Sequence, residues 1–162
     1  MALDSIAGRL LGLEIFRGLA PAQVERIARE AERMIFRDGQ TLVAAGTEGD
    51  GALVIIAGRA MALADADTGR SARQIEPGSM IGELAMLTEH HIGVTVVADG
   101  DVRAIKVVRE TLHANMQEDP ALAAHLHARL VARLQRVALE LRMIDERLAA
   151  AGGQAGDLLQ RA

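Results

Sequence analysis

The chain has 162 residues and a mass of 17.2 kDa, half of it apolar and a quarter charged, which is the composition and size of one globular domain. Its 18 Lys and Arg against 22 Asp and Glu leave a net charge of −4, so no global field draws it to nucleic acid or to an anionic membrane. Without cysteine, Trp or Tyr, and with Phe16 and Phe36 as its two aromatic residues, it has no disulfide, no thiolate metal site, no cysteine nucleophile and no ring platform for single-stranded bases.

The predicted elements fall into three zones of a single domain over residues 1–150. Residues 1–34 are the N-terminal helices: apolar residues recur at Leu10, Leu13, Ile15 and Phe16, then after Pro21 at Val24, Ile27, Ala28 and Ala31, with Pro21 suited to a first helical turn. Residues 35–108 read as short strands cut by glycine. The apolar runs are Thr41-Leu42-Val43, Leu53 to Ile56, Met61 to Leu63, Thr95 to Val97 and Val102 to Val108, the pattern of a small sandwich, jelly roll or barrel. Asp99-Gly100 between the last two runs predicts a hairpin turn. Residues 109–150 are the C-terminal helices. Arg109–Glu118 is a short helix closed by Asp119-Pro120, and a long helix follows to Ala150, where Gly152-Gly153 ends it; residues 151–162 are expected to be a flexible tail. No apolar run reaches the roughly 18 residues of a membrane span, and the N-terminus has no basic-then-apolar leader. A cytoplasmic location and no membrane partner are expected.

The segment Pro77 to Thr95 (PGSMIGELAMLTEHHIGVT) carries the chemistry. Gly82-Glu83-Leu84-Ala85 after a strand starts a short helix, and the backbone N–H groups of such a start attract anions. Glu83 there can accept hydrogen bonds from a sugar hydroxyl. The plain structural alternative is a turn joining two strands, with Glu83 solvated.

In its order of motifs the chain resembles the cyclic-nucleotide-binding domain family, the sensor domain of the catabolite activator protein, protein kinase A regulatory subunits and cyclic-nucleotide-gated channels. Leu13-Glu-Ile-Phe-Arg-Gly-Leu-Ala-Pro-Ala-Gln-Val resembles the opening helix pair. Gly39, Gly46 and the run Asp50-Gly-Ala-Leu-Val-Ile-Ile-Ala-Gly58 resemble the strand and turn signature, and Ile75-Glu-Pro-Gly-Ser-Met-Ile-Gly-Glu-Leu-Ala-Met-Leu resembles the start of the phosphate-binding cassette. The resemblance covers roughly Leu10 to Leu148. It implies an α+β fold, an eight-stranded β jelly roll flanked by N-terminal helices and a long C-terminal helix. It implies that Glu83 binds the ribose 2′-hydroxyl and that backbone amides around Leu84 and Ala85 receive the cyclic phosphate. The candidate ligand-binding residues are Gly82, Glu83, Leu84, Ala85, Ile92, Gly93, Val94 and Thr95, with cyclic AMP or cyclic GMP as the ligand and no other cofactor.

One departure matters. The family's phosphate-binding arginine lies nine residues after the glutamate, and position 92 here is Ile. The frame is supported by Thr95-Val96 and Ala98, and the nearest arginines in sequence, Arg73 and Arg103, lie outside the cassette. Removing one partner of a buried charged pair costs about 2–5 kcal/mol, or roughly thirtyfold to several thousandfold in affinity. His90 and His91 replace that charge only when protonated.

Leu130, Leu134, Val137, Leu141, Ile144 and Leu148 alternate in spacings of four and three along the long helix, an a/d seam. A helix packed on its own domain has the same stripe. The resemblance implies both roles, covering the nucleotide and pairing with a second copy, so a homodimer or a protein partner through this helix is expected. With Leu134 and Leu141 at a, Glu140 and Asp145 face each other as like charges at g and e. Arg129, Arg133, Arg136, Arg142 and Arg147 read as a solvated face. No helix-turn-helix segment follows the long helix, so a DNA-binding domain is not expected. His125 and His127, two apart on a helix, diverge, and no metal site, haem ligand pair or catalytic motif is evident; an enzyme is not expected. Two readings remain: a regulatory sensor that binds a cyclic nucleotide and transmits it through the C-terminal helix, or a degenerate member that no longer binds nucleotide and serves as an interaction or dimerisation module. Ile92 favours the second; Gly82, Glu83 and Ala85 favour the first.

Overall fold

The computed structural model describes residues 3–160 apart from 66 and 68, with the backbone alone for residue 4 and for residues 151–160. Residues 1 and 2 of the expected N-terminal helices and residues 161 and 162 of the expected tail lie outside the described residues. The chain divides into two compact units, Met1–Ala123 and Ala124–Ala162.

In the first unit, helices α1 (Leu3–Gly12) and α2 (Pro21–Glu30) precede the strands. Ala20, the N-cap of α2, has no side-chain acceptor to offer; Gln23 compensates, its Oε1 accepting the Ala20 N–H at 2.9 Å. Pro21 follows at the position where a missing N–H costs nothing. The buried face of α2 is Val24, Ile27 and Ala28, the three-and-four spacing of one helix side.

Eight strands are described: β1 (Glu32–Phe36), β2 (Thr41–Val43), β3 (Glu48–Gly49), β4 (Gly51–Ala62), β5 (Arg73–Ile75), β6 (Met80–Ile81), β7 (His90–His91) and β8 (Val96–Val108). The six-stranded sheet runs β1-β8-β4-β5, with β2 also on β8 and β6 also on β4; β3 and β7 form a two-stranded sheet. All pairings are antiparallel. The core they enclose is aliphatic and fine-grained: Leu53, Ile55, Ile75, Val96 and Val102 interleave with Ala60, Ala62 and Ala104, and Phe36 is its single ring.

The predicted Asp99-Gly100 hairpin is not formed. Both residues lie inside β8, which pairs with β4 from Val96 to Val108, Asp99 standing opposite Arg59. The left-handed conformation of Gly100 (φ 81°) serves an irregularity in a long strand, and its N–H donates to Asp38 Oδ1 at 2.8 Å. The register shifts at this point, between Ile55, Ala57 and Arg59. Gly58 (φ 84°) makes the shift possible, because a Cβ there would lie 2.1 Å from the Asp101 carbonyl oxygen. Two glycines thus give a paired bulge, a tertiary use of a dipeptide that locally reads as a turn. The runs read separately as 53–56 and 61–63 are likewise one strand, β4.

α3 (Arg109–Glu118) and α4 (Pro120–Gln160) follow, with Asp119 between them as the sequence predicts. Asp119 Oδ1 accepts the N–H groups of Ala121 and Leu122 at 3.0 and 3.1 Å, and its Oδ2 accepts Gln23 Nε2 at 2.7 Å. One carboxylate therefore caps a helix and ties the α3–α4 corner to α2, and these donors hold its pKa below the ordinary range, Gln23 foremost. Beside it the buried Asn115 donates Nδ2 to Glu30 Oε2 at 2.6 Å. The predicted helix end at Gly152-Gly153 is not observed, as α4 continues to Gln160. Each helical glycine costs about 1 kcal/mol against alanine, a weak penalty, and Ala149 to Ala151 and Gln154-Ala155 on either side favour continuation.

Candidate functional site

The cassette residues are set by one glycine. Gly82 adopts φ 76° and ψ 33° and caps a single 3-10 turn, Glu83–Met86. A side chain there would be strained by conformation, and its Cβ would stand 3.2 Å from the Gly51 carbonyl oxygen. Glu83 and Leu84 are half-buried, while Ala85, Met86 and Leu87 are buried. The turn is closed from within: Ala85 N–H donates to Gly82 O at 2.9 Å, and Leu87 and Thr88 N–H donate to Leu84 O at 3.0 and 2.9 Å. The Ala85 amide, one of those expected to face a phosphate, is thus already engaged, and an anion would have to share it.

Ile92 is brought to this turn. Its N–H donates to Thr47 O and its carbonyl accepts Gly46 N–H, both at 2.8 Å, which extends the β3–β7 pairing by one residue. The side chain is buried at 6% exposure. Its Cδ1 would lie 2.9 Å from a Cβ on Gly49 and 3.3 Å from one on Gly82, and Ala85 Cβ would lie 2.5 Å from that of Gly49. Gly49, Gly82, Ala85 and Ile92 therefore meet in one tight apolar contact, to which residue 92 brings no charge. Gly93 is exposed, and Val94 and Thr95 are half-buried. Thr95 ties two loops together: its Oγ1 accepts Ala45 N–H at 3.0 Å and its carbonyl accepts Leu63 N–H at 2.9 Å. His90 and His91 are exposed on β7.

Three side chains that the sequence did not single out hold the cassette. Arg109, the first residue of α3, donates Nη1 to Gly49 O at 2.7 Å and to Ala85 O and Thr88 O at 3.1 Å, while its Nη2 stands 3.5 Å from Glu48. One turn on, His113 Nε2 donates to Leu87 O at 2.8 Å; a carbonyl can only accept, so Nε2 carries the proton. Residues four apart share a helix face, and this face holds the turn at its C-terminal end, from Ala85 to Thr88. The third is Arg70, between β4 and β5, whose Nη1 donates to Gly93 O at 2.6 Å. Of the other cations near the site, Lys106 bonds Asp50 and holds that carboxyl below the ordinary range. A signal for Arg109 lay in its place at the helix start; none in the sequence links Arg70 to residue 93.

Of the predicted seam, Leu130 is half-buried, and Leu134, Val137, Leu141, Ile144 and Leu148 are exposed along α4, every residue from 134 to 150 being exposed. No helix among the described residues is long and apolar enough to cross a membrane.

The family profile described as "Cyclic nucleotide-binding domain" matches residues 33–119, from β1 to the end of α3. The chain is 29% identical over 137 residues to the cyclic AMP receptor protein of Thermus thermophilus, covering 83% of this chain and 63% of that protein. It is 33% identical over 90 residues to a cAMP-dependent protein kinase regulatory subunit of Mucor circinelloides, covering 55% of this chain and 21% of the subunit. It thus spans less than two-thirds of either relative. Among solved structures, a cyclic nucleotide-binding-like protein from Brucella abortus superposes with a TM-score of 0.64 at 27% identity, covering 70% of this chain and 99% of that one. A β-roll whose glycine-entered turn lies between the paired strands and α3, matched by profile over more than half of its length, leaves one conclusion: the chain belongs to the cyclic nucleotide-binding domain family.

Proposed function

We propose that this chain is a non-catalytic regulatory domain that binds a cyclic nucleotide, cyclic AMP or cyclic GMP, at the Gly82–Ala85 turn and signals through its C-terminal helix. The observation that carries the reading is the turn itself. Gly82 in the left-handed region sets the half-buried Glu83 at its head, where a carboxylate accepts hydrogen bonds from a sugar hydroxyl, and Arg109 and His113 hold the turn in place without entering it. The names of the relatives, a cyclic AMP receptor and a cAMP-dependent regulatory subunit, support this ligand class. The exposed apolar seam of α4 supports pairing with a second copy of the chain, the arrangement that would let a change at the turn reach a partner.

Calorimetric titration with cyclic AMP and cyclic GMP tests the reading. Micromolar binding by the wild type, weakened in Glu83→Ala, is the expected result. Ile92, buried against Gly49 and Gly82, favours a second reading, an interaction module with no nucleotide. That reading takes over if the wild type binds neither nucleotide and Ile92→Arg gains affinity.

A further inference from the structure

The cassette from Gly82 to Thr95 contains two glutamates, two histidines and no Lys or Arg, and the residue at 92 is sealed in apolar contact. A cyclic phosphodiester carries a full negative charge, and a permanent cation to meet it has to come from outside the segment. We propose that Arg70, from the β4–β5 connection, supplies that cation. This rests on the nucleotide reading above and names the residue that completes its site.

Arg70 is positioned by its backbone. Asp65 N–H donates to Arg70 O at 2.9 Å and Arg70 N–H donates to Asp65 O at 3.0 Å, a closed pair that fixes where the side chain leaves the connection. The side chain then reaches back across 23 residues to Gly93 O, and a Cβ on Gly93 would lie 3.5 Å from Nη1. The guanidinium therefore stands beside Gly93, the residue that follows Ile92. It lines a cleft of about 250 Å3 together with Ala45, Leu63, Asp65, Gly93 and Thr95. The competing cations are occupied, Lys106 on Asp50 and Arg109 on three carbonyls and Glu48. Arg70 bonds a neutral carbonyl, and a guanidinium has five N–H donors in a fork suited to phosphate oxygens. Asp65 in the same cleft opposes an anion, so the effect is set at the modest end of charged hydrogen bonds, about tenfold in affinity.

The test is calorimetry on the full chain with cyclic AMP, cyclic GMP and adenosine, which lacks the phosphate. The variants are Arg70→Gln, Arg70→Lys and Arg70→Gln combined with Ile92→Arg. Arg70→Gln should weaken cyclic nucleotide binding by about tenfold or more and leave adenosine unchanged. Arg70→Lys should fall between, and the added Ile92→Arg should restore affinity. Wild-type binding that Arg70→Gln leaves intact overturns the inference while the nucleotide reading stands. An equal loss for adenosine overturns it too, because Arg70 would then only shape the cleft. A wild type that binds neither cyclic nucleotide overturns both.

Discussion

Replacing Arg109 by alanine is expected to loosen the cassette and destabilise the first unit together. The guanidinium side chain is 19% exposed, so its bonds are made largely out of water. One nitrogen, Nη1, serves Gly49 O, Ala85 O and Thr88 O, and with two hydrogens for three acceptors at least one bond is shared. Two full bonds are therefore counted, and the one to the exposed Glu48 adds little. Hydrogen bonds from a charged donor contribute about 1.5–3 kcal/mol each, and water replaces part of this at the exposed Thr88 end, which leaves a net loss of about 2–4 kcal/mol. At about 2–4 °C per kcal/mol for a domain of this size, Tm should fall by roughly 4–16 °C. Far-UV circular dichroism is the assay, since the chain has no Trp. Hydrogen exchange at residues 83–91 should accelerate before global unfolding. Arg109→Lys keeps the charge but not the planar fork and should recover less than half of the loss. A Tm within about 1 °C of wild type, with unchanged exchange over 83–91, would refute the clamp.

Gly49→Ala should act on the same turn by crowding, because the new Cβ would start 2.5 Å from Ala85 Cβ and 2.9 Å from Ile92 Cδ1; a cost of about 1–3 kcal/mol in urea unfolding is expected, with weaker nucleotide binding. Pairing Gly49→Ala with Ile92→Val should recover part of that stability, and no recovery would mean that the Ala85 contact alone sets the limit. Asp119 has a pKa lowered first by Gln23 and then by the Leu122 amide. A depressed carboxylate stabilises above its ordinary pKa, and the contribution is lost as pH falls through the depressed value. The Tm difference between wild type and Asp119→Ala should thus be constant near neutrality and close below about pH 4; a gap that persists into acid would rule out titration as its source. Leu134→Glu and Leu141→Glu place charges on two exposed seam positions of α4 and should reduce the mass by light scattering from dimer to monomer; an unchanged mass in both removes the seam as the interface.

What sequence alone determined were features set within a few neighbouring residues. Pro21 starts α2, Asp119-Pro120 divides α3 from α4, and Gly82-Glu83 opens the cassette turn, because fixed φ, a missing N–H, a short capping carboxylate and a left-handed glycine act locally. The order of the motifs Leu13 to Val24, Asp50 to Gly58 and Ile75 to Leu87 also sufficed for the jelly-roll family. Other features belonged to distant partners. Asp99-Gly100 has the chemistry of a turn, yet β4 pairs along the whole of β8 and Gly58 supplies the matching bulge, so tertiary pairing overrides the local preference. Gly152-Gly153 reads as a stop, yet α4 runs on through it to Gln160, a pair of helical glycines being a modest penalty. The site divides in the same way. Glu83 and position 92 are singled out by the family resemblance, but Arg109, His113 and Arg70 reach the cassette across 21 to 26 residues, and Arg109 reaches Gly49 across 60. Only the closed β-roll brings those segments together, because side-chain hydrogen bonds between distant residues follow from where folding places the backbone, and no periodicity in the chain encodes them.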